Sequence, residues 1–230
     1  MVATSTLEQL STSSIAGTLL SLGAVAILIL AFSCLGSKLF TRYVTYYGAQ
    51  SVVLSFVAAV VAYRFDSGEL WALAALTLVV KGLAIPLVTR RLLLERLDLK
   101  RDVALSSGLS TSLIVGALLT AFAYLTIGAT VLPHGLVATA VVPLSVAVVL
   151  LGGLTMVVRR HAVAQLIGWL ITENGVFLGA ITLAATFPFI VEAGVFLDLV
   201  AAVLIMVVFV SGITRRLASA TATALRELRG

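Results

Sequence analysis

Apolar residues in this chain run on almost without interruption in seven blocks, at positions 15–35, 44–63, 70–88, 109–132, 137–158, 162–185 and 187–213. Charged residues and turn formers fall between the blocks. A helix crossing a bilayer needs roughly 20 mostly apolar residues, and every block meets that length. None shows the strict alternation of a barrel strand, and an isolated backbone can cross lipid only as a helix or within a closed barrel. The pattern therefore predicts an all-α, polytopic integral membrane protein of about seven transmembrane helices. Composition agrees, with 61% apolar and only 11% charged residues among 230, where a soluble domain has about 25% charged. A soluble enzyme, a disordered chain and a nucleic-acid-binding surface are all excluded on that count, because the fifteen Lys and Arg lie scattered in short clusters.

The charges between blocks set an orientation. The segment before the first block carries only Glu8, and the next connection holds Lys38 and Arg42. Arg64, Asp66 and Glu69 then give an acidic connection, followed by the basic stretch containing Arg90, Arg91, Arg96, Lys100 and Arg101. Pro133, His134 and Gly135 form a short uncharged turn, Arg159 and Arg160 a basic one, and Arg215, Arg216, Arg226 and Arg229 follow the last block. Basic excess alternates from connection to connection, so the positive-inside rule predicts an N-terminus outside and a C-terminus in the cytoplasm. The start of the chain has neither the basic n-region nor the cleavage site of a signal peptide, and the first helix is expected to be retained. The expected organisation is a four-helix region at 1–135 with a cytoplasmic connection near 89–104, a three-helix region at 136–216 and a cytoplasmic tail at 217–230.

The side-chain inventory narrows the chemistry. Cys34 is the single cysteine, and the two histidines, His134 and His161, lie in different connections. An iron–sulfur cluster takes about four ligands, so no cofactor or metal is expected in this chain. Three tyrosines, Tyr43, Tyr46 and Tyr47, read as an interfacial aromatic belt. No internal repeat of the kind found in inverted-repeat transporters is visible.

Four charges fall inside the apolar blocks: Lys81, Glu173, Glu192 and Asp198. A charge at the bilayer centre costs at least about 2.5–3.5 kcal/mol, so such residues face a protein interior or a wet cavity and mark ion pathways. Lys81 and Glu173 are both about eleven residues into their blocks, near mid-membrane. Pro86, one turn beyond Lys81, has no N–H to offer Gly82, which predicts a kink or a bound water. Thr172 and Asn174 flank Glu173 in a local polar seam. Glu192 and Asp198 are about 120° apart around one helix and differ by about 9 Å in depth, with Asp198 the deeper. These four are the candidate proton-transfer residues.

The final three blocks resemble a known family. Gly153-Leu154-Thr155-Met156-Val157-Val158-Arg159-Arg160-His161, leading into Gln165-Leu166-Ile167-Gly168-Trp169-Leu170-Ile171-Thr172-Glu173-Asn174, looks like the K-type (NuoK) membrane subunit of respiratory complex I. Val191-Glu192-Ala193-Gly194-Val195 is similar to the surroundings of that subunit's second membrane glutamate. The C subunit of Mrp-type cation/proton antiporters shares the three-helix plan. With four further helices ahead of this region, and through Lys81-Gly82-Leu83-Ala84-Ile85-Pro86-Leu87, Glu173-Asn174-Gly175 and Glu192-Ala193-Gly194-Val195-Phe196-Leu197-Asp198, the chain from the third helix to the seventh resembles the component E (HyfE) family of hydrogenase-4 and formate hydrogenlyase-like complexes. The register differs in one place. The K-type glutamate follows the glycine by two positions, which here is Leu170, and Glu173 stands three positions later, about 60° round the helix and about 4.5 Å deeper.

The resemblance implies a non-catalytic membrane-arm subunit of a multi-subunit respiratory complex in a bacterial or archaeal cytoplasmic membrane. Its partners would be antiporter-like and other membrane subunits, membrane lipid and, indirectly, soluble iron–sulfur and hydrogenase-like subunits. Any nickel–iron centre and iron–sulfur clusters would belong to those partners. Lys81 and the three acids would line a polar axis coupling redox chemistry elsewhere to movement of protons or sodium ions. Two other readings stand beside it: a subunit of an Mrp-type antiporter complex, and a structural spacer whose charges are locked in ion pairs.

Overall fold

The computed structural model describes residues 15–91, 108–131, 138–160 and 162–183, all within a compact unit spanning Met1–Gly194. Helices α1 (Ile15–Gly36) and α2 (Phe40–Phe65) come first. A composite helix follows, made of α3 (Gly68–Leu76), a π-helical segment (Thr77–Ala84) and α4 (Ile85–Thr89). Then come α5 (Leu109–Val131), α6 (Ala138–Val158) and α7 (Ala162–Leu183). No strand occurs among the described residues. Six helices, counting the composite one as Gly68–Thr89, are long and apolar enough to cross a membrane. Each coincides with a block of the sequence to within four residues at either end; the seventh block lies outside the described residues.

Helices α2, α6 and α7 form the interior. Buried residues make up 67% of the apolar window of α7 but only 22% of that of α5. Helix α2 packs against α1, the composite helix and α7, while α6 packs against α7, α5 and α1. The faces left outward are apolar, among them Leu22, Ile29, Phe56, Ile114, Leu118, Phe122 and Leu125, as expected of helices solvated by lipid.

Lipid supplies little hydrophobic drive between helices, so their association relies on close packing and polar contacts. Both are present. On α7, Gly168, Thr172, Gly175 and Gly179 share a stripe that meets Ser145, Val149, Gly152 and Met156 of α6. A Cβ added to Gly175 would lie 2.8 Å from the Val149 backbone nitrogen, and one on Gly168 would lie 2.9 Å from that of Met156. Only glycine permits that approach. Polar bonds also join neighbouring helices: Gln50 Nε2 donates to the Ile27 carbonyl at 3.1 Å, and Ser55 Oγ to the Ala74 carbonyl at 2.7 Å. Between α2 and α3 the chain turns tightly at Asp66, whose φ of 48° is left-handed, and Ser67 caps α3 through its side chain, accepting from the Leu70 N–H.

Arg159 stands in the connection after α6, as expected, but it is not a solvated loop cation. Its side chain is buried at the end of α6, where Nη2 donates to the carbonyls of Leu35 at 2.6 Å and Ser37 at 2.8 Å. Its guanidinium carbon lies 4.9 Å from the centroid of the Tyr43 ring. The last carbonyls of a helix carry partial negative charge and lack intrahelical partners, and the planar guanidinium suits both tasks. Tyr43 and Tyr47 depart from the interfacial belt in the same way, since both are fully buried between helices. An aromatic ring near a helix end joins the belt only if it faces lipid, and these two face the bundle interior.

Candidate functional site

Lys81 and Glu173 are brought together. The Lys81 Nζ stands 3.1 Å from Glu173 Oε1, and both side chains are almost wholly removed from the surface, at 4% and 2% exposure. The composite helix supplies the lysine and α7 supplies the acid. Both lie near the middle of their spans, because each helix extends well beyond the pair in both directions. The Phe177 ring, one turn beyond Glu173, has its centroid 6.0 Å from Nζ, at the outer limit for attraction of a cation to an aromatic face.

The lysine sits in unusual backbone. Pro86 was expected to kink the third helix, and the local outcome is the π-helical segment Thr77–Ala84. There the Ile85 N–H bonds the Val80 carbonyl five residues back. Thr77, Lys81 and Gly82 are its buried positions, and Val79 and Leu83 face outward. Such turns hold one residue more than an α-helix and occur often at functional sites.

A second buried cluster adjoins the pair. Asn174 Nδ2 donates to Gln50 Oε1 at 3.1 Å and to Ser51 Oγ at 3.2 Å. The Ser51 hydroxyl in turn donates to the Tyr47 carbonyl at 3.1 Å. The polar seam expected around Glu173 therefore divides. Asn174 turns to α2, whereas Thr172 bonds back to the Gly168 carbonyl at 3.1 Å. Gln50, Ser51 and Arg159 are residues that screening the spans for formal charge passes over or places elsewhere. Adjacent polar residues at 50 and 51 inside an apolar block were the signal for the first two. Glu192, Asp198, His134 and His161 lie outside the described residues, and no group of three or more potential metal ligands occurs among the described ones.

Chemically, the pair sets a basic and an acidic group within hydrogen-bond reach of each other inside the bundle.

The described residues define a protein of the multi-pass helical membrane class, with a buried lysine–glutamate pair between its helices. Over 182 residues it is 32% identical to the uncharacterized protein Rv0085 of Mycobacterium tuberculosis (strain ATCC 25618 / H37Rv), covering 78% of this chain and 82% of that protein. The chain belongs to the family of that mycobacterial protein. No family model and no solved structure matches it.

Proposed function

We propose that this protein is a membrane-arm subunit of a multi-subunit respiratory, hydrogenase-like complex, in which it lines a polar axis coupling redox chemistry in partner subunits to proton or sodium movement. The observation that carries the reading is the ion pair of Lys81 and Glu173, enclosed at mid-span and joined across two helices. Intramembrane ionisable residues are costly to retain and typically serve ion transfer. The resemblance of 153–174 and 191–195 to the K-type subunit, and of the third to the seventh helix to the component E family, supplies the redox context. In this reading seven helices cross a bacterial or archaeal cytoplasmic membrane, with the N-terminus outside. Glu192 and Asp198 continue the axis on the seventh, and nickel and iron–sulfur centres belong to the partners.

The test is isolation of the intact complex in mild detergent, with metal analysis and mass spectrometry, followed by proton-translocation assays on Glu173→Gln and Lys81→Met. Co-purifying nickel and iron–sulfur proteins and loss of translocation in both variants are expected. A metal-free assembly of membrane subunits would transfer the protein to the antiporter class. Unchanged translocation in both variants would leave the pair a purely structural strut.

A further inference from the structure

We propose that the π-helical turn at Thr77–Ala84 is a register switch that presents Lys81 to Glu173 and, when its extra residue moves, withdraws it. The inference rests on the reading of the pair as a proton-transfer site. Two fixed points flank the turn. On the N-terminal side, Ser55 of α2 holds the Ala74 carbonyl at 2.7 Å. On the C-terminal side, Pro86 fits against Gly48 of α2 so closely that a Cβ on the glycine would lie 3.0 Å from the proline ring. The flanking pieces α3 and α4 are thus both seated on α2, and the excess residue of the π turn is confined between Ala74 and Pro86.

Within those limits the excess can sit before or after Lys81. Each placement returns the lysine to a regular α register, one continuous with α3 and the other with α4. The two differ by one residue, which is about 100° of rotation and ~1.5 Å of rise. The observed turn encloses Lys81 and holds it between these directions, and it is there that Nζ meets Glu173. Two residues ease the exchange. Gly82, adjacent to the lysine, has no side chain to drag past Val52, which a Cβ would approach to 3.2 Å. Pro86 cannot bond the Gly82 carbonyl in either register, so no α-type hydrogen bond is lost there when the turn moves. Register shifts of this kind occur in microseconds to milliseconds, compatible with enzyme turnover.

Deleting Val79, an outward-facing member of the turn, removes the excess and leaves an α-helix between the two fixed points. In the intact complex this deletion is expected to take Lys81 off Glu173. Infrared spectroscopy at neutral pH should then show a protonated-carboxyl band that Glu173→Gln abolishes and that the wild-type complex lacks, with proton translocation reduced at least tenfold. Wild-type translocation with no such band would overturn the switch. So that a folding failure decides nothing by default, spin labels at Leu83→Cys and Phe56→Cys, in a Cys34→Ser background, give a second reading by pulsed electron resonance. Two interconverting distances are expected across the catalytic cycle, and one invariant distance would overturn the proposal. If Lys81→Met and Glu173→Gln leave translocation intact, the underlying reading fails. If they abolish it while the deletion and the labels show nothing, only the switch fails.

Discussion

Glu173 and Asn174 are neighbours on α7, yet they bind different helices. The carboxylate of Glu173 meets Lys81 of the π-helical turn, and the amide of Asn174 meets Gln50 and Ser51 of α2. Successive helical residues point about 100° apart, so one turn of α7 is tied in two directions at the same depth. The first tie is ionic and the second is neutral, which gives them different expected responses to mutation.

Replacing one member of the ion pair leaves the other charge buried and uncompensated. Lys81→Met and Glu173→Gln are each expected to destabilise the protein by about 3–5 kcal/mol, while the double variant recovers most of that loss. Thermal unfolding in nanodiscs measures the cycle. Translocation is expected to remain lost in the double variant. A double variant no more stable than the singles would show that the two charges do not interact energetically.

The amide cluster behaves otherwise. Asn174→Leu strands the buried Gln50 carbonyl oxygen and is expected to cost about 1–3 kcal/mol, whereas Asn174→Leu combined with Gln50→Leu comes closer to neutral. Asn174 bonds Gln50 and Ser51, and Gln50 bonds the Ile27 carbonyl, so the double variant should retain translocation. Its loss would extend the proton-transfer site into α2.

Arg159→Lys is the third case. Lysine keeps the charge but not the planar fork over Tyr43 or its two bonds to the end of α1, and hydrogen bonds to charged groups are worth about 1.5–3 kcal/mol each. Cys34, the single cysteine, is buried beside Leu35 and three residues before Ser37 and serves as the reporter. Maleimide labelling of Cys34 in the folded protein is expected to accelerate at least tenfold in Arg159→Lys. An unchanged rate would mean that the guanidinium does not hold that end of the bundle closed.

Two glycines, Gly175 of α7 and Gly153 of α6, test the helix contact. A Cβ on Gly175 runs into the α6 backbone at Val149, while one on Gly153 meets nothing within 4 Å. Gly175→Ala is expected to destabilise by about 1–3 kcal/mol through overpacking, and Gly153→Ala to be neutral or slightly stabilising, since alanine favours helix by up to ~1 kcal/mol. Thermal unfolding of both variants checks the pair, and equal behaviour would contradict the close approach of α6 and α7.

How far the sequence reaches differs between these features. The apolar blocks set six described spans closely, because hydrocarbon admits only backbone whose hydrogen bonds are satisfied within the segment. The cost of burying charge likewise singled out Lys81 and Glu173 before any partner was known for either. Nothing in the one-dimensional pattern said that these two would meet, since they stand ninety-two positions apart and pairing depends on which helix faces which. Arg159 looked like any cation in a basic turn, and its burial follows from the neighbouring end of α1 offering two bare carbonyls. Pro86 announced a disturbance in the third helix, but not its form, because α2 holds both flanks and leaves the extra residue to be absorbed between them. Membrane insertion is dictated residue by residue along the chain. The ion pair, the amide cluster and the π-helical turn are decided by contacts between helices, and those exist only once the bundle has packed.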